Sequence, residues 1–166
     1  GAGINIHRGA EESLQAMQFV NDAVLVFLGS GDVVEKLRQM REELNLTDKV
    51  FFIQKVPMNK VRAYTCIADV GLTLDKDTNI NYKFSLPNKL FDYIHAGIPV
   101  LASDLPEVKK IIEQYDTGMI TPSHDPEKIA SLLTQMIGNQ ELMNRWAANS
   151  IHAAKELNWE KEKGVL

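Results

Sequence analysis

Cysteine is almost absent: Cys66 is the only one in 166 residues, which excludes an internal disulfide and makes a reducing compartment the expected setting. Cys66 stands among largely apolar neighbours, which predicts a buried, inert thiol. The four histidines, His7, His95, His124 and His152, have no cysteine partners and no i, i+4 pairing, so a zinc site is not expected. No apolar run approaches the roughly 18 residues of a membrane span, and Gly1 to Gly9 contains no signal-peptide core. Positive charge is in deficit, with a net charge of -4. That balance argues against broad electrostatic binding to nucleic acid or an anionic membrane, and any basic pocket must be local. Neither a G-x-S-x-G elbow nor a G-x-x-x-x-G-K-[ST] loop is present. The glycines of Gly1 to Gly3 and of Gly29 to Asp32 lack a third glycine, at Ile6 and Val34 respectively, so a dinucleotide fingerprint is missing.

What is present is an ordinary globular composition, 45% hydrophobic and 24% charged, spread over one expected domain covering residues 1–166. Short apolar runs alternate with amphipathic stretches. Strands are expected at Ala23 to Leu28, Val50 to Ile53, Val70 to Leu74, Val100 to Ala102 and Gly118 to Ile120, the first reading as buried on both faces. Helices are expected at Ala10 to Val20, from Asp32, and at Asn59 to Ile67. Others follow after Ser85, at Pro106 to Tyr115, from Pro126 behind the Asp125 cap, and from Gln140 toward Leu157. Leu142, Trp146, Leu157 and Trp159 read as packing anchors. Lys76 to Lys83 reads as a polar loop. This order describes an α/β, doubly wound, parallel Rossmann-like sheet that binds ligands at the carboxyl ends of its strands. The segment before the first helix is polar, so the strand expected there is absent. In a 3-2-1-4-5-6 order that strand would be central, and the chain is expected to begin inside a domain.

Ser85 to Ser103 carries the richest local chemistry. Ser85, Leu86 and Pro87 read as a capped turn opening a helix whose N–H groups suit an anion. At about 100° per residue, Asn88, Asp92 and His95 share one stripe with Lys89 beside it, while Leu90, Phe91 and Ile94 face the core. Asp92 can accept hydrogen bonds from a vicinal diol and Lys89 can meet a phosphate. Spacing alone leaves open the alternative of a solvated helix face with a local Lys89–Asp92 pair. Arg8, next to Gly9 and ahead of the first helix, is placed to hold a diphosphate, or is an ordinary surface arginine.

Taken together, NIHRGAEESLQAM, VFLGSGDVVEKLRQM, VFFIQKVPMNKVRAYTCIADVGLTL and SLPNKLFDYIHAGIPVLASDLPEVKKII resemble the C-terminal, donor-binding domain of retaining GT-B glycosyltransferases of group 1. The most specific match is P-x-K-L-F-[DE]-Y followed by A-G-x-P-V. The resemblance implies that Asp92, the second acidic position of the family's Glu-x7-Glu motif, binds the nucleotide ribose. It implies that Arg8, Lys89, Ser85 and Asn88 hold the donor diphosphate, that Lys55 and Val56 meet the base, and that Lys83, Phe84, Leu86 and Pro87 lie at the donor sugar. Two positions depart from the pattern. The first acidic position falls at Phe84, leaving its sugar contact to be lost or taken over by Asp77, Asn81 or Lys83. The second basic position meets Ala2 or Gly3.

The function so implied is donor binding in a retaining, metal-independent glycosyltransferase of bacterial polysaccharide or glycolipid synthesis. Its substrate is a nucleotide-diphosphate sugar. The acceptor, a sugar or a lipid-linked sugar, belongs to an N-terminal domain with no counterpart here, so these residues are expected to contain no catalytic group and to be inactive alone. The expected location is cytoplasmic, at the inner face of the membrane in the full-length protein. The alternative is a noncatalytic Rossmann-like interaction module or a degenerate transferase domain. A receiver fits poorly, because Ser103 and Asp104 stand where its lysine belongs. A sugar-nucleotide epimerase would carry a different signature.

Overall fold

In the computed structural model, which describes residues 3–157, the apolar runs become strands and the amphipathic stretches become helices. The order is α1 (Ala10–Ala16), β1 (Leu25–Leu28), α2 (Val34–Glu43), β2 (Val50–Ile53), α3 (Met58–Thr65) and β3 (Gly71–Thr73). There follow α4 (Ile80–Phe84), α5 (Asn88–Ala96), β4 (Val100–Ser103), α6 (Pro106–Tyr115), β5 (Gly118–Thr121), α7 (Pro126–Ile137) and α8 (Gln140–Glu156). Every strand pairing is parallel.

Helices cover both faces of β4, and its period of two divides the core. Leu101 joins Leu14, Leu37, Ile129 and Met136 in one cluster. Val100 and Ala102 join Leu90, Ile94, Val108 and Ile112 in the other. A strand buried on both sides in this way needs a continuous apolar sequence, and β4 supplies one. The α7 reading holds: Asp125 accepts from the Glu127 N–H at 3.2 Å, and Ile129, Leu132, Leu133 and Met136 are buried. Trp146 is an anchor through both its ring and its N–H, which donates to the Asp116 carboxylate at 3.0 Å. Leu142 and Leu157 are half-buried against the two clusters. Trp159 lies outside the described residues.

The sheet is divided among the described residues. β1 pairs only with β2, whereas β3, β4 and β5 form a second sheet. Between the facing edges of β1 and β3 lies a cavity of about 1250 Å³, lined by Leu25, Val26 and Phe27 on one side and Leu72 on the other. The expectation that the first strand is buried on both faces is therefore corrected: Val26 is 47% exposed. Its flank lacks the neighbour that would cover it.

Several boundaries move as well. β1 starts two residues later than expected and α1 stops at Ala16. Asp32 does not open α2; its carboxylate accepts from the Ile6 N–H at 2.9 Å, tying the N-terminal segment to the end of β1. The polar loop contains the short helix α4, capped by Asn79, which accepts from the Tyr82 N–H at 3.0 Å. Cys66 is exposed, because it caps the end of α3 where that helix turns to solvent. Among the described residues no helix is long and apolar enough to cross a membrane.

Candidate functional site

The site begins with a turn that only a residue free of Cβ can make. Gly9 caps α1 in the left-handed region at φ 73°, and a Cβ there would stand 2.2 Å from the Leu74 carbonyl oxygen. The chain is thereby pressed against the end of β3, and His7 reinforces this by accepting from the Lys76 N–H at 2.9 Å. Gly9→Ala is expected to cost about 2 kcal/mol, from the left-handed penalty and the displaced contact. Urea unfolding measures this cost directly.

This turn delivers Arg8 to Asp75, just beyond the carboxyl end of β3. Asp75 is 1% exposed and accepts from Arg8 Nη1 at 3.3 Å through Oδ2. Its Oδ1 accepts from Lys89 Nζ, in the first turn of α5, at 3.2 Å. One buried carboxylate thus holds together two cations 81 positions apart in the chain. The Arg8 guanidinium also lies over the Tyr82 ring, 4.7 Å from its centroid. Its Nε is buried with no hydrogen-bond partner. A guanidinium has five N–H groups and an ammonium three, so both cations keep donors for a further anion.

Lys89 is shifted below the ordinary lysine pKa. Burial is the main cause, the Asp75 carboxylate opposes it, and Arg8 adds to it. Tyr93, in the middle of α5, donates its hydroxyl to the Leu72 carbonyl at 3.2 Å. Burial, followed by the Asp92 carboxylate, pushes its pKa up to about 12. The phenol therefore stays protonated at physiological pH.

The cap of α5 differs from the sequence reading. Ser85 does not cap it; its hydroxyl donates backward to the Tyr82 carbonyl at 3.2 Å and closes α4. Pro87 takes the N-cap position with no side-chain cap, so the first amides of α5 lack a capping side chain. Along the helix the expected stripe is present: Asn88, Asp92 and His95 are exposed, and Leu90 and Ile94 are buried. Phe91 is half-buried rather than buried.

Of the residues expected at the site, Arg8, Ser85, Asn88, Lys89 and Asp92 line the large cavity, together with Leu86 and Pro87. Lys83 and Phe84 do not line it. Lys83 pairs with Asp77 at 3.1 Å, and Phe84 is 54% exposed. Lys55 and Val56 also stay outside, following β2 on the far side of β1. Ala2 lies outside the described residues, and Gly3 lines the cavity. Sequence reasoning gave no role to Asp75, Tyr82 or His124. His124 Nε2 stands 3.0 Å from the Leu74 carbonyl and 3.1 Å from Ser103 Oγ, beside the same strand ends. An acid immediately past a strand in a doubly wound sheet was the one available signal for Asp75.

Comparison with known proteins places this geometry in context. The family model for glycosyl transferases group 1 matches residues 3–153. The phosphatidyl-myo-inositol mannosyltransferase of Mycobacterium leprae is 27% identical over 143 residues, covering 86% of this chain and 36% of that protein. The chain spans about a third of the length of the curated relatives it matches. WaaG, a glycosyltransferase involved in lipopolysaccharide biosynthesis, superposes with a TM-score of 0.77 at 20% identity, over 96% of this chain and 43% of that one. Anabaena HepE in complex with UDP superposes with a TM-score of 0.81 at 14% identity, over 93% of this chain and 42% of that one. Likeness at such identities establishes the fold, a GT-B Rossmann-like domain.

Proposed function

Because the chain belongs to the glycosyl transferases of group 1, we propose that the corner at the start of α5 binds the diphosphate and ribose of a nucleotide-diphosphate sugar. It would be the donor half of a retaining transferase of polysaccharide or glycolipid assembly. The observation that carries this reading is the convergence of Arg8 and Lys89 on Asp75 in one cavity with Asn88 and Asp92. The relatives named for mannosyl transfer to a phosphatidylinositol and for lipopolysaccharide synthesis support the substrate class.

In transfer, an acceptor hydroxyl oxygen would bond to the anomeric carbon and give up its proton while the bond from that carbon to the diphosphate oxygen breaks, leaving the electron pair on the departing diphosphate. Arg8 and Lys89 stabilise that negative charge, as do the uncapped amides of α5, aimed with the positive end of the helix dipole. Two fixed cations supply this without a metal ion in the proposed scheme. Asp92, one turn further along, takes the ribose hydroxyls. Lys55 and Val56 would meet the base, and Lys83, Phe84, Leu86 and Pro87 the sugar. The acceptor would dock on an N-terminal domain at the cytoplasmic face of the membrane, so residues 1–166 alone bind donor and transfer nothing.

Calorimetric titration with UDP and with GDP tests the reading. At least one nucleotide is expected to bind in the millimolar range or tighter, and Arg8→Ala to weaken it about tenfold, the worth of one charge-assisted contact. Absence of binding by either nucleotide to a folded sample would leave a degenerate transferase domain instead.

A further inference from the structure

Asp75 does not line the cavity, yet among the described residues it is the carboxylate that both cations share. We infer that Asp75 is a positioning residue, whose buried carboxylate orients Arg8 and Lys89 side by side so that the pair meets a diphosphate together. The inference rests on the donor-site reading above.

Geometry is the first support. Asp75 is 1% exposed and both of its oxygens are used, one by each cation. An unpaired buried carboxylate is strongly disfavoured, so the three groups are mutually required. Without Asp75, two like charges would face each other at a partly buried site, and the ammonium, unlike the guanidinium, can relieve this by losing its proton. The second support is the balance acting on Lys89. Burial and Arg8 lower its pKa, and the opposing influences are both Asp75, through charge and through the hydrogen bond.

The surroundings offer no replacement. On α5 itself, Asp92 stands one turn on and is exposed, and Tyr93 is protonated with its hydroxyl on the Leu72 carbonyl. From α4, Tyr82 offers its ring to Arg8, and Lys83 is paired with Asp77. From α1, Glu12 is engaged by Lys76. Asp75 is the only carboxylate bonded to Lys89 among the described residues.

Asp75→Asn removes the raising influence, so the Lys89 pKa falls further and the neutral fraction grows as pH rises. UDP affinity in wild type is expected to fall less steeply with rising pH between about pH 7 and 9 than in the variant, a range where the nucleotide's phosphates are already ionised. In Asp75→Asn it is expected to fall by about tenfold across that range. Lys89→Arg in the same background is expected to flatten the profile, since a guanidinium keeps its proton. Affinity in Asp75→Asn equal to wild type throughout, or a loss with no slope for Lys89→Arg to remove, would overturn the inference.

A second measurement does not depend on any nucleotide. The 13Cε shift of Lys89, followed by NMR against pH in the ligand-free protein, is expected to titrate at lower pH in Asp75→Asn. An unchanged titration would overturn the role of Asp75. Failure of wild type to bind UDP or GDP would instead overturn the donor-site reading while leaving this measurement intact. Should Asp75→Asn fail to fold, Arg8→Gln probes the same triad from the other side. Removing the guanidinium is expected to raise the Lys89 titration, and no rise would count against the coupling.

Discussion

An extended apolar segment of about five residues, fused ahead of Gly1, is expected to raise the thermal midpoint by about 10–20 °C. β1 uses its outer edge for β2 in the register Leu25 to Val50 through Leu28 to Ile53, and β3 uses its outer edge for β4. The inner edges therefore face each other across the part of the cavity lined by Leu25, Val26, Phe27 and Leu72, where neither has a ladder partner among the described residues and the Leu72 carbonyl accepts from the Tyr93 hydroxyl. The entry geometry suits a parallel strand. Ile4 lies at the carboxyl end of β1, where its N–H donates to the Ser30 carbonyl at 2.9 Å. Residues 3–9 then cross to the end of β3, where His7 and Gly9 are pinned. A strand leading into Gly3 thus runs in the same direction as both neighbours.

The magnitude comes from three opposing contributions. Burying an apolar side chain contributes about 2 kcal/mol, and each ladder hydrogen bond about 1 kcal/mol net. Ordering costs about 2 kcal/mol per residue. The balance for such a segment is about 5 kcal/mol, and a domain of this size gains about 2–4 °C per kcal/mol. Differential scanning calorimetry should compare a Val/Ile-rich extension with a Gly/Ser extension of equal length and with one carrying a central proline. Equal midpoints for all three would show that the gap is not a strand site. A proline removes a ladder donor, so its extension is expected to recover little of the gain.

Asp92→Ala is expected to weaken nucleotide binding at least about a hundredfold, because a carboxylate that accepts two hydroxyl hydrogen bonds loses about 1.5–3 kcal/mol for each. Asp92 is exposed, lines the cavity and sits one turn beyond Lys89, so it is free to take a diol while the cations hold the phosphates. Asp92→Asn keeps one acceptor and is expected to lose about tenfold. His95, further along the same stripe, bonds to the Phe91 carbonyl at 2.8 Å through Nδ1 and lies outside the cavity lining. His95→Ala is accordingly expected to leave affinity unchanged. Calorimetry on the three variants checks the set, and unaltered UDP and GDP binding by Asp92→Ala would remove Asp92 from the ribose role.

Much of this organisation is legible in the chain itself. β2 and α6 fall where the apolar runs and the Pro106 signal place them, and the Asp125–Pro126 start of α7 forms as read. The polar stripe of α5 also follows from spacing, because helical periodicity is local. Some local signals compete with one another. Asn79 is a readable cap, and α4 behind it claims the Ser85 hydroxyl that spacing assigned to α5. Cys66 among apolar neighbours is nonetheless exposed, because the end of α3 faces solvent.

The sequence by itself therefore determined the α/β alternation, the family resemblance and the stripe that carries Asn88, Asp92 and His95. Only the tertiary structure decided what holds the corner together. Arg8, Asp75 and Lys89 share no periodicity, and their meeting depends on the Gly9 turn against Leu74, the reach of β3 and the angle at which α5 begins. A buried ion triad is a product of chain crossing, with each member supplied by a different element. Local propensity carries no trace of it.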